Sequence, residues 1–355
     1  MTSRRKIKWL IAHHPQYLFI RTAEAFRAEL EKIMPGKFDI EILTMADYIQ
    51  KYDDIEEMRL VGPVIKGLEE RERRLRFVGT NGEKQDVFTP VENWKQISTK
   101  WAAVFKAMNE GKIDLSQTQV SIVAAHLFND MDTLDMPFIF DSHEECTNVV
   151  DGEIGEELLN RLGDETGVRG LAFTYSGGYR VIGSNHGITS IDELAQVPLA
   201  TSTRPTFTFF NDVGANSLSR PKIGVDDYAD LANNFGAVET TYLRFTGKHV
   251  LKTEHSMFLT TILTGGTFWN SLSAEEQAAF KIAAKIVAKI ERLWSVEDAE
   301  KFEAKAEANG VTIHNINAAD RERMVEASKK TRSAIAERYS AGLVERILAA
   351  NGKTL

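Results

Sequence analysis

The chain has 355 residues, 43% of them hydrophobic and 26% charged, and a net charge of -8. Its length favours two lobes over a single core, and its acidic balance argues against a nucleic-acid surface, which needs a basic face. One cysteine, Cys146, excludes an internal disulfide and a cysteine-rich zinc module, and no run approaches the roughly 18 apolar residues of a membrane span.

The opening MTSRRKIKWLIAHHP starts basic and carries a short apolar run, Ile7–Ala12. It lacks the length of a signal-peptide core and a small-residue cleavage site. The expectation is a cytoplasmic protein or the mature form of an exported one. Ile7–Ala12 predicts a buried strand. Ala23, Phe26, Leu30 and Ile33 sit at helical spacing, and Pro35-Gly36 stops that helix. FDIEIL (38–43) alternates and returns to strand. This strand–helix–strand opening points to a parallel βαβ unit and an α/β fold.

Residues 66–76 mix acids and bases and predict a solvated helical face. Phe77–Phe88 predicts a hairpin turning at Asn81-Gly82. Trp101–Asn109 predicts a helix ended by Gly111, VSIVAA (120–125) a buried strand, and Gly155–Leu162 a short helix. Leu171–Tyr175 and Tyr179–Ile182 predict strands flanking Ser176-Gly177-Gly178. Ser190 has capping-box spacing to Glu193. The segment VPLATSTRPTFTFF (197–210) reads as a strand carrying one arginine, Arg204. Asp226–Phe235 predicts a helix and Ser256–Thr264 a strand. Ser273 and Glu276 open a long amphipathic helix, with Phe280, Ala283, Ile286, Val287, Ile290, Leu293 and Trp294 on its apolar stripe. The remainder is mostly helical.

Enzyme signatures are missing from the sequence: GxGxxG after a strand, Walker A, GxSxG and HExxH are not found. His13 and His14 are adjacent, so in a regular strand they face opposite ways and cannot share a metal. One of them, His14 in particular, could face a ligand, because α/β clefts open at strand carboxyl ends. Asp130, Asp132 and Asp135 lack the glycine and glutamate of a calcium loop. No metal or cofactor is expected.

Four blocks in order then resemble one family. They are AVFKAMNEGKIDLSQTQVSIV (103–123), LDMPFIFDSHEECTNVVDGEIGEELLNRL (134–162), GLAFTYSGGYRVIGSNHGITSIDELA (170–195) and GTFWNSLSAEEQAAFKIAAK (266–285). The chain resembles the periplasmic solute-binding component of tripartite ATP-independent (TRAP) transporters, the DctP type, over about residues 5–45 and 100–310.

The resemblance implies an α/β, two-lobed periplasmic-binding-protein-like fold with a cleft and a long helix spanning both lobes. It implies capture of a small organic acid or zwitterion and delivery to membrane subunits, without catalysis. The implied lobes are 1–134 plus 219–253, with an insertion at 47–100, and 135–218 plus 254–297. Residues 298–355 would form a C-terminal helical segment packing on both. Relatives place a carboxylate-clamping arginine twenty residues after the arginine of Gly178-Tyr179-Arg180, where this chain has Ala200. Either Arg204, four residues on, replaces it, or Arg180 alone binds the acid, or the ligand differs. Near NNFGAVETT (233–241) the usual aspartate is missing while Glu239 remains, so Glu239 and Thr240 are further candidates. Tyr175, Phe207 and Phe210 are candidate pocket walls. The implied partners are the ligand and the TRAP membrane subunits, in the periplasm, as a monomer or homodimer. Two other readings stay open: a binding protein serving a signalling receptor, and an enzyme using His13, His14 or Glu239 as a base.

Overall fold

A computed structural model describes residues 4–13, 16–58, 91–184, 186–201, 203–218, 229–233 and 249–355. Two sheets organise it. The first runs in the order β2-β1-β3-β10-β4, with β1 (Arg5–Ile11), β2 (Phe38–Thr44), β3 (Leu115–Gln119), β4 (Arg169–Tyr179) and β10 (Met257–Thr264). The second runs β11-β9-β5-β8-β6-β7, with β5 (Val181–Ser184), β6 (Pro198–Ala200), β7 (Asn216–Leu218), β8 (Ala229–Asn233), β9 (His249–Lys252) and β11 (Thr312–Asn315). The opening βαβ unit is as read: helix α1 (Gln16–Ile33) returns the chain so that β2 pairs parallel to β1, Ile7 opposite Ile40.

Three elements and the lobe division depart from the sequence reading. VSIVAA is not a strand but helix α3 (Val120–His126), following α2 (Val91–Asn109) and β3. A short apolar run fits either state by hydropathy, and the actual strand, LSQTQ, is polar. Its side chains are satisfied inside the sheet, where the Gln117 amide donates to Thr174 Oγ1 at 2.8 Å and the Ser116 hydroxyl to the Leu10 carbonyl at 2.9 Å. Within Asp226–Phe235, residues 229–233 form β8, held as a strand between β5 and β6. The segment 197–210 is β6 followed by a helix, described below. The sheets also divide the chain differently from the expected lobes. The chain first changes sheet at Arg180, not near Leu134, so β4 belongs to the first lobe; β8 and β9 belong to the second, and β10 to the first. The proposed hairpin at 77–88 and the charged helix at 66–76 lie outside the described residues.

Helix α5 (Glu153–Thr166) covers β4 with Leu158 and Leu162, and α4 (His143–Val150) packs on α5. Helix α7 (Ala274–Ala308) starts at the predicted capping box, where Ser273 accepts from the Glu276 amide and Glu276 from the Ser273 amide. At 35 residues it is about 52 Å long. Phe280, Ala283 and Val287 pack in the first lobe, and Ala306 packs with Val181 and Val250 of the second. Its buried face differs from the expected stripe. Glu291, Arg292 and Ser295 continue it, while Ile286 and Leu293 are exposed, Leu293 at 66%. After β11, α8 (Ala318–Ile335) puts Met324 in the second core, and α9 (Leu343–Ala349) puts Val344 and Ile347 in the first.

Glu291 explains the polar interruption. It accepts the Tyr175 backbone N–H at 2.8 Å and the Ser295 hydroxyl at 3.2 Å, tying α7 to β4. Burial pushes its carboxyl up to about 8, against the pull of those bonds and of Arg292. An unfolded glutamate titrates at about 4.3. Between these values the folded state holds a proton that the unfolded state has released, so stability falls as pH rises through this window.

Glu291→Gln keeps an acceptor and removes the titration; its Tm should be flatter than wild type from pH 5 to pH 9, and higher at pH 9. Phe280→Ala should cost about 3–5 kcal/mol, while Leu293→Ala should stay within about 0.5 kcal/mol, both by urea unfolding.

Candidate functional site

Strand direction locates the site. Parallel β1 and β3 end at Ile11 and Gln119; β10 runs the other way with Thr260 opposite Gln119, so Met257–Phe258 lies past that carboxyl end. In the second sheet β6, β7 and β8 are parallel, and Asn233 at the end of β8 lies opposite Val181 at the start of β5. The carboxyl ends of both parallel sets therefore face the two crossings, Tyr179–Val181 and Lys252–Met257. Open α/β sheets bind ligands at that edge. A shallow groove of about 340 Å³ lined by Arg4, Glu24, Arg27, Glu31, Phe38 and Asp39 lies at the amino ends of β1 and β2, the wrong end. There Arg4 already pairs with Glu31 at 3.1 Å.

The first crossing is built by glycines. From Leu259 to Met257 β10 takes two steps, while β4 takes four, from Tyr175 to Tyr179, so Ser176-Gly177-Gly178 forms a bulge. Gly177 and Gly178 have φ of 88° and 80°, where a Cβ is strongly disfavoured. The bulge delivers Arg180 into the interior. Its backbone N–H donates to the Ser256 carbonyl on the other crossing at 2.9 Å. Its guanidinium grips Asp135 through Nε at 3.2 Å and Nη2 at 3.3 Å, and lies over Phe258 at 4.2 Å. Arg180 is 1% and Asp135 0% exposed. Burial pushes the Asp135 carboxyl up, and Arg180 and Ser256 pull it back. His255 sits beside them, its Nδ1 against Thr253 Oγ1 at 2.8 Å. Burial, then the Arg180 charge, hold it well below the usual imidazole range, so it is neutral.

At the end of β1, His13 is buried among Phe19, Trp101 and Phe258, and Lys100 donates to the Ala12 carbonyl at 2.8 Å. At the end of β6 the chain turns into helix α6 (Arg204–Asp212), which the sequence reading missed. Thr203 caps it by accepting the Thr206 amide at 3.3 Å, and Pro205 suits its first turn. The segment 197–210 is therefore not one strand, and Arg204 does not continue β6. Arg204 is the exposed first residue of α6, and the helix axis, not a strand pleat, sets its direction.

Of the residues singled out, Arg180 and Arg204 both lie at the crossing edge. Tyr175 is 1% exposed, with its hydroxyl near the His143 carbonyl at 3.4 Å, and belongs to the first core. Phe207 is half-buried on α6; Phe210 is core, against His255. His14, Glu239 and Thr240 lie outside the described residues. Sequence reasoning missed Asp135 as the partner of Arg180. The acids of DMDTLD are its only local signal, and their spacing does not point to an arginine 45 residues away. Among the described residues no group of three or more histidines, cysteines or acids could hold a metal ion, and no helix is long and apolar enough to cross a membrane.

A family model, "Bacterial extracellular solute-binding protein, family 7" (DctP), matches residues 99–221 and 232–338. The C4-dicarboxylate-binding periplasmic protein DctP of Rhodobacter capsulatus is 22% identical over 236 residues, 63% of this chain and 69% of that one. A TRAP periplasmic solute binding protein from Pseudomonas putida F1 with bound D-glucuronate has a similar fold, with TM-score 0.71 at 20% identity over 99% of both chains. The sugar acid binding protein DctPAm from Advenella mimigardefordensis strain DPN7T, in complex with galactonate, gives 0.73 at 16% identity over 98% of both.

Asp135→Ala would strand a buried guanidinium and should cost about 3–5 kcal/mol in denaturant unfolding; adding Arg180→Met should recover a large part of that loss. A double variant no more stable than Asp135→Ala would show that the pair does not act as a unit.

Proposed function

The chain belongs to family 7 of the bacterial extracellular solute-binding proteins, the DctP family, and we propose that its solute is a small organic acid held between the two sheets. The protein works in the periplasm and passes the acid, chemically unchanged, to the membrane subunits of a TRAP transporter. The observation that carries the ligand class is Arg204. It begins the nine-residue helix α6 immediately after β6, at the carboxyl edge of the second sheet. A guanidinium fork there can hold a carboxylate bidentately. The helix N-terminus adds its own positive potential. Arg204 stands four residues past Ala200, where the family resemblance expects the clamp, and it is the first residue of α6.

Arg180 has a different task in this reading. Its charge is committed to Asp135 at the crossing, so it holds the two lobes in register while Arg204 meets the ligand. Closure follows when the ligand makes contacts that only the closed arrangement completes.

Thermal-shift screening of aldonates, uronates, C4-dicarboxylates, aromatic acids and amino acids should raise Tm for one chemical group by mass action. The stabilising acid should be recovered intact after hours of incubation; conversion of it would make the protein an enzyme. Arg204→Ala should weaken that acid by about 2–3 kcal/mol, roughly 30- to 150-fold in Kd by calorimetry, and an unchanged Kd would place Arg204 outside the site.

A further inference from the structure

The 3₁₀ segment Asn129–Asp135 carries three aspartates, and two are fully engaged. Asp130 pairs with Arg161 at 2.9 Å and accepts the Ser340 backbone N–H at 3.0 Å. Asp135 holds Arg180. Asp132 differs. It is 9% exposed, yet its carboxylate makes no hydrogen bond or ion pair with any described residue. Burial first, and the Asp135 charge second, push that carboxyl up to about 7, and Arg204 is the first cation opposing them, ahead of Arg180. A carboxylate taken out of water without a donor is unfavourable.

Arg204 is the complementary case. It is exposed and makes no hydrogen bond or ion pair with any described residue. Its helix α6 packs against the 3₁₀ segment. An acid and a guanidinium thus sense each other across the same contact without pairing, at the carboxyl edge of β6. Asp135 cannot take the acid's part, because Arg180 and Ser256 occupy it. Tyr339, which also senses both charges, is buried with its phenol pushed up, so it stays neutral.

We infer that Asp132 is a specificity residue of the binding site, accepting a hydrogen bond from a hydroxyl or ammonium group on the same ligand whose carboxylate sits on Arg204. The inference rests on the organic-acid reading of Arg204 given above. A plain aliphatic acid satisfies Arg204 but leaves Asp132 without a donor, while screening the cation that offsets its charge. A hydroxy or amino acid completes both poles. Discrimination of this kind is large because the unmatched group is left buried and unpaired.

The test uses the full chain and calorimetry at pH 8 with six-carbon probes: D-galactonate, D-glucuronate and norleucine carry a donor, while adipate and hexanoate carry none beyond their carboxylates. Wild type should bind at least one donor-bearing probe tenfold or more tighter than adipate or hexanoate. Asp132→Ala should weaken that probe about 10- to 100-fold and leave adipate and hexanoate unchanged; Arg204→Gln should weaken all of them. Whether the sugar acids or norleucine hold the preference identifies hydroxyl or ammonium as the donor. Asp132→Ala deletes a buried acid that has no partner among the described residues, so its Tm at pH 8 should equal or exceed wild type, and Asp132→Asn, which keeps an acceptor oxygen, should retain part of the preference. A preference that survives in Asp132→Ala, or adipate or hexanoate binding wild type as tightly as the donor-bearing probes, overturns the role of Asp132 and leaves the organic-acid reading standing. If no acid of any kind binds wild type, that reading fails and the role of Asp132 with it.

Discussion

Everything in this molecule passes through the buried pair of Asp135 and Arg180. Two chain segments cross between the sheets at one level, one in each direction, and the pair sits there with both side chains closed to water. A buried ion pair contributes little net stability, since desolvation offsets most of its attraction, but breaking it is costly. Its role is therefore one of geometry. It fixes the 3₁₀ segment, the β4–β5 crossing and the β9–β10 crossing to one another, with the Arg180 amide and the Ser256 carbonyl as a second tie.

The rest of the site inherits that geometry. Because the crossings are pinned, the carboxyl ends of β1 and β3 face the same edge as those of β6, β7 and β8. Helix α7 makes the arrangement continuous, with Phe280 in one core, Ala306 in the other and Glu291 bound to β4 between them. The C-terminal helices α8 and α9 repeat the bridge on another side, and Arg332 of α8 donates to the Pro137 and Phe138 carbonyls beside the crossing. Lobe motion in such a frame has to be absorbed at the crossings, where Glu254 holds a left-handed φ of 48°, and beside them, where Phe138 holds one of 54°.

The proposed function rests on how the charges are paired. Most buried acids and bases of the crossing are matched to each other. Asp132 and the exposed Arg204 have no such match among the described residues, and α6, which Arg204 opens, packs against the 3₁₀ segment of Asp132. A binding protein needs such incomplete chemistry, because a ligand gains most from groups that the folded chain has left unsatisfied.

The α/β class, the opening βαβ unit, the capped start of the long helix and, through four ordered blocks, the family are all legible in the residues alone. These depend on local chemistry: hydrophobic period, capping residues and glycine, which a linear reading can follow. It placed Arg180 and Arg204 among the ligand candidates without distinguishing them. The folded chain commits Arg180 to Asp135 and makes Arg204 the start of a helix, which no local pattern foretells. The sequence put Leu293 on the buried stripe of α7; packing put Glu291 there, because an acid can be buried where a strand amide meets it. It took 120–125 for the strand and passed over LSQTQ, because a polar strand can be core once neighbouring strands supply partners for Ser116 and Gln117. Lobe boundaries failed for the same reason: which sheet a strand joins depends on partners far away in the chain, and no local pattern records them.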